Sequence, residues 1–500
     1  MFRRVLIANR GEIAVRIIRT LREMGIGAVA VYSDADRASL HVRMADEAAH
    51  IGPSPSAESY LRIDRLIDAA RAHGAEAIHP GYGFLSENPE FAEACEAAGI
   101  VFIGPPAEAI RKMGLKTPAR ELAIAAGVPV VPGMQHAARD AEEARVFARS
   151  CPYPVLLKAV AGGGGKGMRR VDRDEDLAPA FRDASSEAER AFGNPAIYVE
   201  KLIEQPRHIE VQLMGDRQGH IVYLGERECS LQRRHQKIME ECPSPLVTEH
   251  PEMRRAMGEA AVRIARAAGY HNAGTAEFLV DAARNFYFLE MNTRLQVEHP
   301  VTELVTGLDL VRLQLEIAAG EPLRLRQEEI GWRGAAIECR IYAEDPDNHF
   351  FPSPGRIQHL DRPLGPGIRF DSGVYPGWTV PLEYDPLLAK LAVWAGSREE
   401  AVARMIRALD EYHVVGIKTN IGFFRQLMED DHYRRADLHT GLVDEFLERR
   451  RAPEKDPELQ AVAALVGQAF LPARSALKEN GRIRNTGSTW RTEGRDQLLQ

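Results

Sequence analysis

The sequence lacks the features that would place it in the membrane, secreted or nucleic-acid-binding classes. Its apolar runs fall short of the roughly 18–20 residues that a membrane helix needs. Strand-like VLIA begins at Val5, so we expect no signal or transit peptide. Five scattered cysteines without a Cys-x-x-Cys pair indicate neither a disulfide framework nor a zinc site, and a formal net charge of -8 gives no basic surface for nucleic acid. We therefore expect a cytoplasmic protein with reduced cysteines and with neither membrane nor nucleic-acid partners.

The chain is long enough for about three domains, and its pattern changes along the sequence. The first hundred or so residues alternate short apolar runs with helical patterns, which is typical of a doubly wound parallel sheet. From Tyr198 to about Thr306 the apolar runs predict mostly antiparallel strands. After a Pro- and Gly-rich β region, a last helix is expected to begin near Arg398. The pattern predicts a protein of mixed α/β and α+β class.

A glycine-rich stretch, KAVAGGGGKGMRRV, begins at Lys158. Its Gly162, Gly164 and Gly167 formally satisfy G-x-G-x-x-G, but that dinucleotide-binding motif must open a helix, whereas MRRV returns to extended chain. No Ser or Thr follows Lys166, so the stretch is not a Walker A loop. We interpret it as a hairpin whose backbone N–H groups approach phosphate oxygens, with Lys158 adding positive charge. The alternative is a mobile surface hairpin without a ligand.

The stretch EMNTRLQVEHP carries many polar groups directly after the apolar run FYFL. Read at the period of a strand, it places these side chains on one face: Glu290, Asn292, Arg294, Gln296 and Glu298. If residues 274–280 and 285–291 form a hairpin, Glu277 lies directly opposite Glu290, and facing like charges destabilise a sheet. A bound Mg²⁺ would remove the repulsion, and Asn292 could add an oxygen ligand. The alternative is a solvated sheet edge with two unrelated carboxylates.

A third cluster crowds four potentially positive side chains into five residues: Arg233, Arg234, His235 and Lys237. Alone it indicates a solvated basic loop or a small anion site. Together with the glycine loop and the carboxylates, it completes a set of groups for polyphosphate, Mg²⁺ and a second anion. Such a set predicts a site for the ATP-driven activation of an acid.

At this point the chain resembles a biotin carboxylase, the ATP-grasp component of the biotin-dependent carboxylases, over roughly residues 1–447. The resemblance rests on these segments, in this order: ANRGEIAVRIIR, HPGYGFLSEN, KAVAGGGGKGMR, CSLQRRHQK, EMNTRLQVEHPVTE, ECRIYAEDP and FDSG. It implies an N-terminal doubly wound parallel sheet, then a two-lobed ATP-grasp fold and a C-terminal β-rich subdomain. The implied boundaries are an N-terminal α/β domain at 1–113, a linker and lid lobe with the glycine flap at 114–203, a main lobe at 204–330, a C-terminal subdomain at 331–447 and a tail at 448–500.

The resemblance also implies a role for each polar group of the site. It implies an ATP site formed by Lys116, Lys158, Gly164, Gly165, Glu200, Lys201, Ile203 and His208, with ribose and phosphate contacts from Gln232 and His235. The residues that match metal ligands, for Mg²⁺ or Mn²⁺, are Glu277, Glu290 and Asn292. The residues that match the bicarbonate site are Lys237, Arg294, Gln296, Val297 and Glu298. Arg340 matches the arginine that serves both bicarbonate and the ureido group of biotin.

The implied activity is Mg-ATP-dependent carboxylation of protein-bound biotin by bicarbonate through carboxyphosphate, the first half-reaction of an acetyl- or acyl-CoA carboxylase. Glu298 would take the proton of bicarbonate, and Arg340 would stabilise the enolate-like ureido oxygen. One alternative is another ATP-grasp ligase, such as a carboxylate–amine ligase or half of a carbamoyl phosphate synthetase, but these lack TRLQVEHP together with ECRIYAEDP. A second alternative, a non-catalytic scaffold for carrier and transferase subunits, is disfavoured because Glu298, Arg294, Lys237 and Arg340 are all intact.

The partners implied by the resemblance are a biotin carboxyl carrier protein or domain on another chain, a second copy in a homodimer and a carboxyltransferase subunit. In the family, biotin is attached to the lysine of an Ala-Met-Lys-Met-like turn, and none of the 13 methionines here precedes a lysine. The tail resembles the start of a longer acyl-CoA carboxylase α chain. Its helical spacing at Leu459, Val462 and Val466 predicts either a docking surface for partners or a helix packed on its own domain.

Overall fold

The computed structural model describes residues 1–134, 136–160, 168–450 and 462, without the side chains of residues 116, 191 and 192. Met1–Glu448 forms one compact unit, and the chain from Arg449 onward is not part of it. Within the described ranges, no helix is both long and apolar enough to cross a bilayer. The five cysteines are buried and free. Apart from Val462, which is helical, the predicted tail helix lies outside the described residues.

The N-terminal part is a parallel sheet flanked by helices, as the alternating pattern predicts. Its strands are β1 (Arg4–Ile7), β2 (Gly27–Ser33), β3 (Glu47–Gly52), β4 (Ala77–His79) and β5 (Val101–Phe102). Its helices are α1 (Gly11–Glu23), α2 (Leu40–Met44), α3 (Ile63–Ala72), α4 (Pro89–Ala97) and α5 (Ala107–Gly114), followed by the linker helix α6 (Lys116–Ala125). The strand order is β3-β2-β1-β4-β5, and each neighbouring pair is parallel. In α1, Ile13, Ile17 and Leu21 recur at helical spacing, which makes one apolar face that is buried against the sheet.

A small lobe with its own apolar core follows the linker. Its elements are α7 (Ala141–Ser150), β6 (Val155–Ala159), β7 (Met168–Val171), α8 (Asp174–Phe192) and β8 (Ile197–Lys201). The strand order is β7-β6-β8, and both pairings are antiparallel. Lys158 pairs with Met168, so the glycine stretch connects two antiparallel strands and does not open a helix. The predicted hairpin is confirmed, although the loop itself, residues 161–167, lies outside the described residues.

The next part contributes long antiparallel strands and the helices that cover them. The strands are β9 (Arg207–Gly215), β10 (Ile221–Arg233), β11 (Gln236–Cys242), β12 (Asn272–Val280) and β13 (Phe286–Asn292). The helices are α9 (Pro245–Glu249), α10 (Pro251–Ala267), α11 (His299–Thr306) and α12 (Leu310–Ala318). Helix α10 packs its buried Met257, Ala261 and Ile264 into one apolar core with Val211 and Leu213 of β9. That core holds the sheet rigidly behind the polar face described below.

The C-terminal part is rich in short strands. These are β14 (Ala335–Tyr342), β15 (Glu344–Asp345), β16 (Phe351–Pro352), β17 (Gly355–Arg356), β18 (His359–Asp361), β19 (Ile368–Ser372), β20 (Thr379–Val380), β21 (Leu387–Ala395) and β22 (His413–Val415). The helices are α13 (Arg398–Asp410), α14 (Ile421–Leu427), α15 (Asp431–Arg434) and α16 (Leu442–Arg449). Helix α13 begins at Arg398, as predicted, but the prediction that it is the last helix is wrong. Between Arg398 and residue 450, three short helices follow α13, and their few turns give too little periodicity to be recognised in the sequence.

One antiparallel sheet joins the central and C-terminal parts. Its order is β13-β12-β9-β10-β11-β14-β21-β19. Strand β14 pairs with β11 on one side and with β21 on the other. The sheet therefore places side chains of residues 207–292 and of the C-terminal subdomain on one continuous surface.

Candidate active site

A cavity of about 630 Å³ lies between the small lobe and the eight-stranded sheet. Most of the predicted site residues line it: Lys158, Glu200, Lys201, Ile203, His208, Gln232, His235, Lys237, Glu277, Glu290, Asn292, Arg294, Gln296, Val297 and Arg340. Glu298 does not line the cavity, but it forms hydrogen bonds with two residues that do, Lys237 and Arg340. Gly164, Gly165 and the side chain of Lys116 lie outside the described part of the structure, so their predicted roles stay predictions.

The hairpin of β12 and β13 brings Glu277 directly opposite Glu290, as predicted. The alignment continues beyond this pair, because Glu277 also lies opposite Glu210 of β9, which in turn lies opposite Arg227 of β10. Three carboxylates thus stand in one row across three strands, with one arginine at the end. Facing like charges destabilise a sheet, and Arg227 and Lys237 supply positive charge to Glu210 and Glu277 in this row.

The strand prediction for residues 290–300 is wrong in its second half. Strand β13 ends at Asn292, residues 293–298 form a loop, and α11 begins at His299. The loop is held by Glu87, whose carboxylate accepts hydrogen bonds from the Thr293 backbone N–H at 2.8 Å and from Arg294 Nε at 2.9 Å. Contacts of this loop, and not the alternation of a strand, bring Arg294, Gln296 and Glu298 to the site.

Glu298 is fully buried between two cations. Lys237 Nζ donates to Glu298 Oε1 at 3.0 Å, and Arg340 Nη2 donates to Glu298 Oε2 at 2.8 Å. Burial alone would raise the pKa of Glu298, but Lys237, Arg340 and Arg227 outweigh it and hold that pKa well below its usual value. The carboxylate is therefore ionised and able to accept a proton.

Lys237 is the common partner of the carboxylates on the sheet. Its Nζ donates to Glu210 Oε2 at 2.5 Å and to Glu277 Oε1 at 2.6 Å, in addition to Glu298. Burial alone would lower the pKa of Lys237, but these three carboxylates raise it well above its usual value. The amine is therefore a permanent positive charge inside the cavity, with a carboxylate partner for each of its three N–H donors.

Arg294 and Gln296 form a second polar group on the loop. Arg294 Nη1 donates to Gln296 Oε1 at 2.6 Å, and Arg294 Nη2 donates to Asn292 Oδ1 at 3.1 Å. Gln296 Nε2 reaches Glu277 Oε1 at 3.4 Å. The Arg294 guanidinium thus contacts both Gln296, a predicted bicarbonate-binding residue, and Asn292, a predicted metal ligand.

The small lobe supplies the other wall of the cavity. Lys158 forms an ion pair with Glu200, whose second oxygen accepts a hydrogen bond from Tyr198 at 2.9 Å. On the sheet side, Gln232 Nε2 lies 2.7 Å from His208 Nδ1. Lys201 and Ile203 line the cavity where the lobe joins β9, and His235 lies in the tight turn between β10 and β11. The arrangement gives a polar slot with positive charge at one end, which suits a nucleotide polyphosphate.

Glu277, Glu290 and Asn292 fit a divalent cation by their chemistry. All three carry hard oxygen atoms, which Mg²⁺ prefers, and Asn292 Nδ2 donates to Glu277 Oε1 at 2.7 Å. Burial alone would raise the pKa of Glu277, but Lys237 and His208 outweigh it and hold the pKa well below its usual value. Glu277 is therefore charged, and a cation bound there would replace contacts that its oxygens now make with Lys237, Asn292 and His208. His208 and Glu210 also come close enough to Glu277 to share an ion.

Sequence reasoning assigned no role to Glu87, Glu210 or Glu240, although all three hold predicted site residues. Arg340 Nε donates to Glu240 Oε1 at 2.7 Å, and burial, opposed by Arg340, raises the pKa of Glu240 to about 7. Glu87 lies in HPGYGFLSEN, one of the segments that carry the family resemblance. A charged residue in such a segment that has no assigned role was the signal that could have found Glu87. Glu210 and Glu240 gave no such signal, because their partners are distant in sequence.

Comparison with known protein families gives a consistent assignment along the chain. The family described as "Biotin carboxylase, N-terminal domain" matches residues 1–110, and "Biotin carboxylase C-terminal domain" matches residues 338–445. Between them, "Carbamoyl-phosphate synthase L chain, ATP binding domain" matches residues 116–326. The central match covers a nucleotide-binding domain, and the two flanking matches separate this chain from the alternative ligases.

Individual relatives agree with the family matches. A pyruvate carboxylase subunit of Methanothermobacter thermautotrophicus is 50% identical over 479 residues, which cover 95% of this chain and 96% of the relative. Biotin carboxylase of Nostoc sp. is 52% identical over 445 residues, covering 89% of this chain and 99% of the relative. The alpha subunit of the mitochondrial methylcrotonoyl-CoA carboxylase of Rattus norvegicus is 52% identical over 441 residues, which cover 88% of this chain but only 61% of that longer relative.

A solved structure shows the same fold. The biotin carboxylase domain dimer of the Hydrogenobacter thermophilus 2-oxoglutarate carboxylase, in complex with MgADP, ADP and bicarbonate, has a TM-score of 0.83 and 49% sequence identity. The match covers 89% of this chain and 98% of the domain. Because relatives of this identity are covered almost from end to end, the chain belongs to the biotin carboxylase family, the ATP-grasp enzymes that carboxylate biotin with bicarbonate and ATP.

Proposed function

We propose that bicarbonate is activated at the group formed by Lys237, Arg294, Glu298 and Arg340, in the first half-reaction of a biotin-dependent carboxylase. The observation that supports this most is the ionised Glu298 carboxylate, buried between Lys237 at 3.0 Å and Arg340 at 2.8 Å. A base held between two cations that can also bind an anion is what the deprotonation of bicarbonate requires.

In the first step, Lys237, Arg294 and Gln296 hold bicarbonate, and Glu298 accepts its proton. Without bicarbonate, Lys237 and Arg340 stabilise the ionised form of Glu298 and make it a weak base. A bound bicarbonate shares their positive charge, which raises the proton affinity of Glu298. As the proton leaves, the bicarbonate oxygen forms a bond to the γ-phosphorus of ATP, the bond from that phosphorus to the ADP oxygen breaks, and carboxyphosphate results.

Nucleotide binding is assigned to the slot beneath the small lobe. Lys158, Glu200, Lys201, Ile203, His208, Gln232 and His235 line it, and Lys116, Gly164 and Gly165 are proposed to complete it. Glu277, Glu290 and Asn292 would hold Mg²⁺, which when bound neutralises charge on the transferring phosphoryl group. Positioning and charge neutralisation are the main requirements of phosphoryl transfer, so residues on a rigid sheet suit the task.

In the second step, carboxyphosphate breaks down to CO₂ and phosphate inside the closed site. Phosphate takes the proton of biotin N1′, and the nitrogen then forms a bond to CO₂. Arg340 is proposed to stabilise the negative charge that develops on the ureido oxygen. Exclusion of water is needed because water would destroy carboxyphosphate.

The experiment that tests the proposal is steady-state ATP hydrolysis by the purified chain with Mg²⁺, bicarbonate and free biotin, each omitted in turn. We expect bicarbonate and biotin together to stimulate phosphate release, with ¹⁴C from bicarbonate appearing in carboxybiotin. ATP hydrolysis that ignores both compounds would contradict the proposal, and so would stimulation by an amine or another carboxylate in place of bicarbonate.

We also propose that the final acceptor is an acyl-CoA thioester. This is supported by the resemblance of the tail to acyl-CoA carboxylase α chains and by the likeness to the methylcrotonoyl-CoA enzyme. The test is to purify the chain with its native partner subunits and to follow ¹⁴C from bicarbonate. Label in a carboxylated acyl-CoA supports the proposal, whereas label in the product of pyruvate carboxylation contradicts it.

The remaining assignments concern partners and organisation. We propose that the biotin is carried outside these 500 residues, on a carrier protein or domain of another chain, since the sequence has no Met-Lys pair. Intact-mass measurement of this chain after co-expression with a biotin ligase should show no biotin adduct. A homodimer, a carboxyltransferase partner, a cytoplasmic location and the domain boundaries given above are likewise proposed from the resemblance. Equilibrium sedimentation tests the dimer, limited proteolysis tests the boundaries, and cell fractionation tests the location.

A further inference from the structure

A buried lysine outside the predicted site touches the bicarbonate loop. Lys390 lies on β21, directly opposite Arg340 of β14, and is only 1% exposed. Its Nζ donates to the main-chain oxygen of Val297 at 2.8 Å. Lys390 does not itself line the cavity, and nothing in the proposed mechanism uses it.

The ammonium of Lys390 is surrounded by titratable groups from several elements. The Glu12 carboxylate of α1 is its nearest counter-charge, at 3.3 Å, and neither oxygen of Glu12 has a hydrogen-bond partner. Four other titratable groups face it: Glu338 on β14, Asp371 opposite it on β19, His299 on α11, and Tyr82, whose ring centroid is 5.7 Å from its Nζ. A buried ammonium loses its hydration, and the Glu12 carboxylate at 3.3 Å and the Val297 oxygen at 2.8 Å replace part of it. The hydrogen bond from Lys390 to the Val297 oxygen connects this buried ammonium to the loop that carries Glu298.

The Val297 carbonyl is the part of the loop through which Lys390 can act on Glu298. The carbonyl of Val297 and the N–H of Glu298 belong to one planar peptide unit, so a bond that fixes the oxygen also fixes the direction in which the Glu298 chain leaves. Glu298 is the residue immediately before α11. Rotation of this peptide would therefore move the carboxylate away from its positions at Lys237 and Arg340.

We propose that Lys390 is a positioning residue for the bicarbonate step, which holds the Val297–Glu298 peptide and thereby keeps the Glu298 carboxylate aligned between Lys237 and Arg340. The inference rests on the proposed function of that site. Lys390 touches neither nucleotide nor bicarbonate. Its effect is on geometry, and displacement of a reacting group by about 1 Å can lower turnover about a hundredfold.

The test uses Lys390→Met, which keeps the length of the side chain and removes the ammonium, and the double variant Lys390→Met with Glu12→Gln. The second change neutralises the carboxylate that the first leaves unpaired, so the double variant carries the test if the single variant does not fold. Bicarbonate-dependent ATP hydrolysis should fall about ten- to a hundredfold in kcat, with an increased KM for bicarbonate. The KM for ATP should stay within about twofold, because Lys390 does not line the cavity that contains the nucleotide slot.

Arg398→Met is the matched control. Arg398 also holds main-chain oxygens, those of Tyr433 and Arg434, and pairs with a buried carboxylate, Glu241, in the same subdomain. We expect it to lower the melting temperature without changing the KM for bicarbonate, since these carbonyls lie outside the bicarbonate loop.

The outcomes separate the inference from the function on which it rests. If the wild-type chain shows no ATP hydrolysis that depends on bicarbonate and biotin, the proposed function fails. If the wild-type chain is active and a folded double variant keeps its kcat and its KM for bicarbonate, only the role of Lys390 is overturned. Equal losses in Arg398→Met and in the double variant would also overturn it, because the effect would then be a general loss of stability.

Discussion

At the scale of single residues, the reactivity of the site depends on how two cations share one carboxylate. Glu298 has a pKa well below its usual value because Lys237, Arg340 and Arg227 outweigh its burial. The same cations can bind an anion, so the affinity for bicarbonate and the basicity of Glu298 are coupled. A substitution at Glu298 should therefore affect the chemical step more than the binding of ATP.

We expect Glu298→Gln to keep the fold, because Lys237 retains Glu210 and Glu277 and Arg340 retains Glu240. Loss of a general base costs about 10²- to 10⁴-fold in turnover, so bicarbonate-dependent ATP hydrolysis should fall by that factor while the KM for ATP changes little. Initial-rate kinetics with varied ATP and bicarbonate measure both. Activity within a few-fold of wild type would show that Glu298 is not the base.

Glu87 should matter through Arg294. Its carboxylate accepts from the Thr293 backbone N–H and from Arg294 Nε, which orients the guanidinium towards Gln296 and Asn292. A hydrogen bond to a charged group contributes about 1.5–3 kcal/mol, so Glu87→Gln should raise the KM for bicarbonate about tenfold or more.

Glu93→Gln is the control for Glu87, since it removes an ion pair with Arg111 on the exposed surface of the same domain. Its kinetics should match those of wild type. An equal increase in the KM for ATP and for bicarbonate in Glu87→Gln would instead indicate a general disturbance of the cavity.

At the scale of elements, the hairpin of β12 and β13 brings the proposed metal ligands together. The assumption that residues 274–280 and 285–291 form a hairpin was enough to predict that Glu277 faces Glu290, although the register shifts by one residue between Glu277 and Phe278. The alternation of polar and apolar residues failed beyond Asn292, where the chain leaves the sheet. Contacts made by Glu87, more than two hundred residues earlier in the sequence, then position Arg294, and no local pattern contains that information.

The facing pair predicts non-additive effects on metal use. We expect Glu277→Gln and Glu290→Gln each to raise the Mg²⁺ concentration that gives half-maximal activity. In the double variant, the fold-increase of this concentration should be smaller than the product of the two single fold-increases, because both carboxylates are proposed to bind one ion. The measurement is activity against free Mg²⁺ at fixed ATP.

A second pair of facing carboxylates in the same sheet offers a control for the Mg²⁺ titrations. Glu228 and Glu241 also lie opposite each other, across β10 and β11, but Arg207 and Arg398 neutralise them. Glu228→Gln should leave the Mg²⁺ dependence unchanged. An unchanged Mg²⁺ requirement in both Glu277→Gln and Glu290→Gln would refute the metal assignment.

At the scale of the whole molecule, the site is assembled from parts that are far apart in sequence. The N-terminal domain supplies Glu12 from α1 and Glu87 from the loop before α4, the central strands supply the carboxylate row, and β14 and β21 supply Arg340 and Lys390. The sequence predicted the parallel sheet, the glycine hairpin and the polar residues, because each depends on local periodicity or on a motif. It could not predict the partners Glu210, Glu240 and Lys390, because their contacts depend on how distant strands align.

The stability of the assembled molecule should depend on pH through Glu12, which joins the N-terminal domain to the C-terminal subdomain. Burial, opposed by Lys390, raises the pKa of Glu12 to about 7. An unfolded glutamate titrates near its usual value of about 4.3. Between these two values the folded protein holds a proton that the unfolded chain releases, so the contribution of Glu12 is complete below pH of about 4.3 and is lost as the pH rises through about 7.

Glu12→Gln removes this proton from both states, so we expect wild type to lose stability relative to the variant as the pH rises from about 5 to about 7, by at most about 1.4 kcal/mol per pH unit. Melting temperatures of both proteins across this range measure the difference, and the other titrating groups cancel in the comparison. Glu96→Gln, at an exposed position of the same domain, should show no such divergence. If the profiles of wild type and Glu12→Gln run parallel from pH 5 to 7, Glu12 is already ionised beside Lys390. The junction between the N-terminal and C-terminal parts would then be a full ion pair instead of a shared proton.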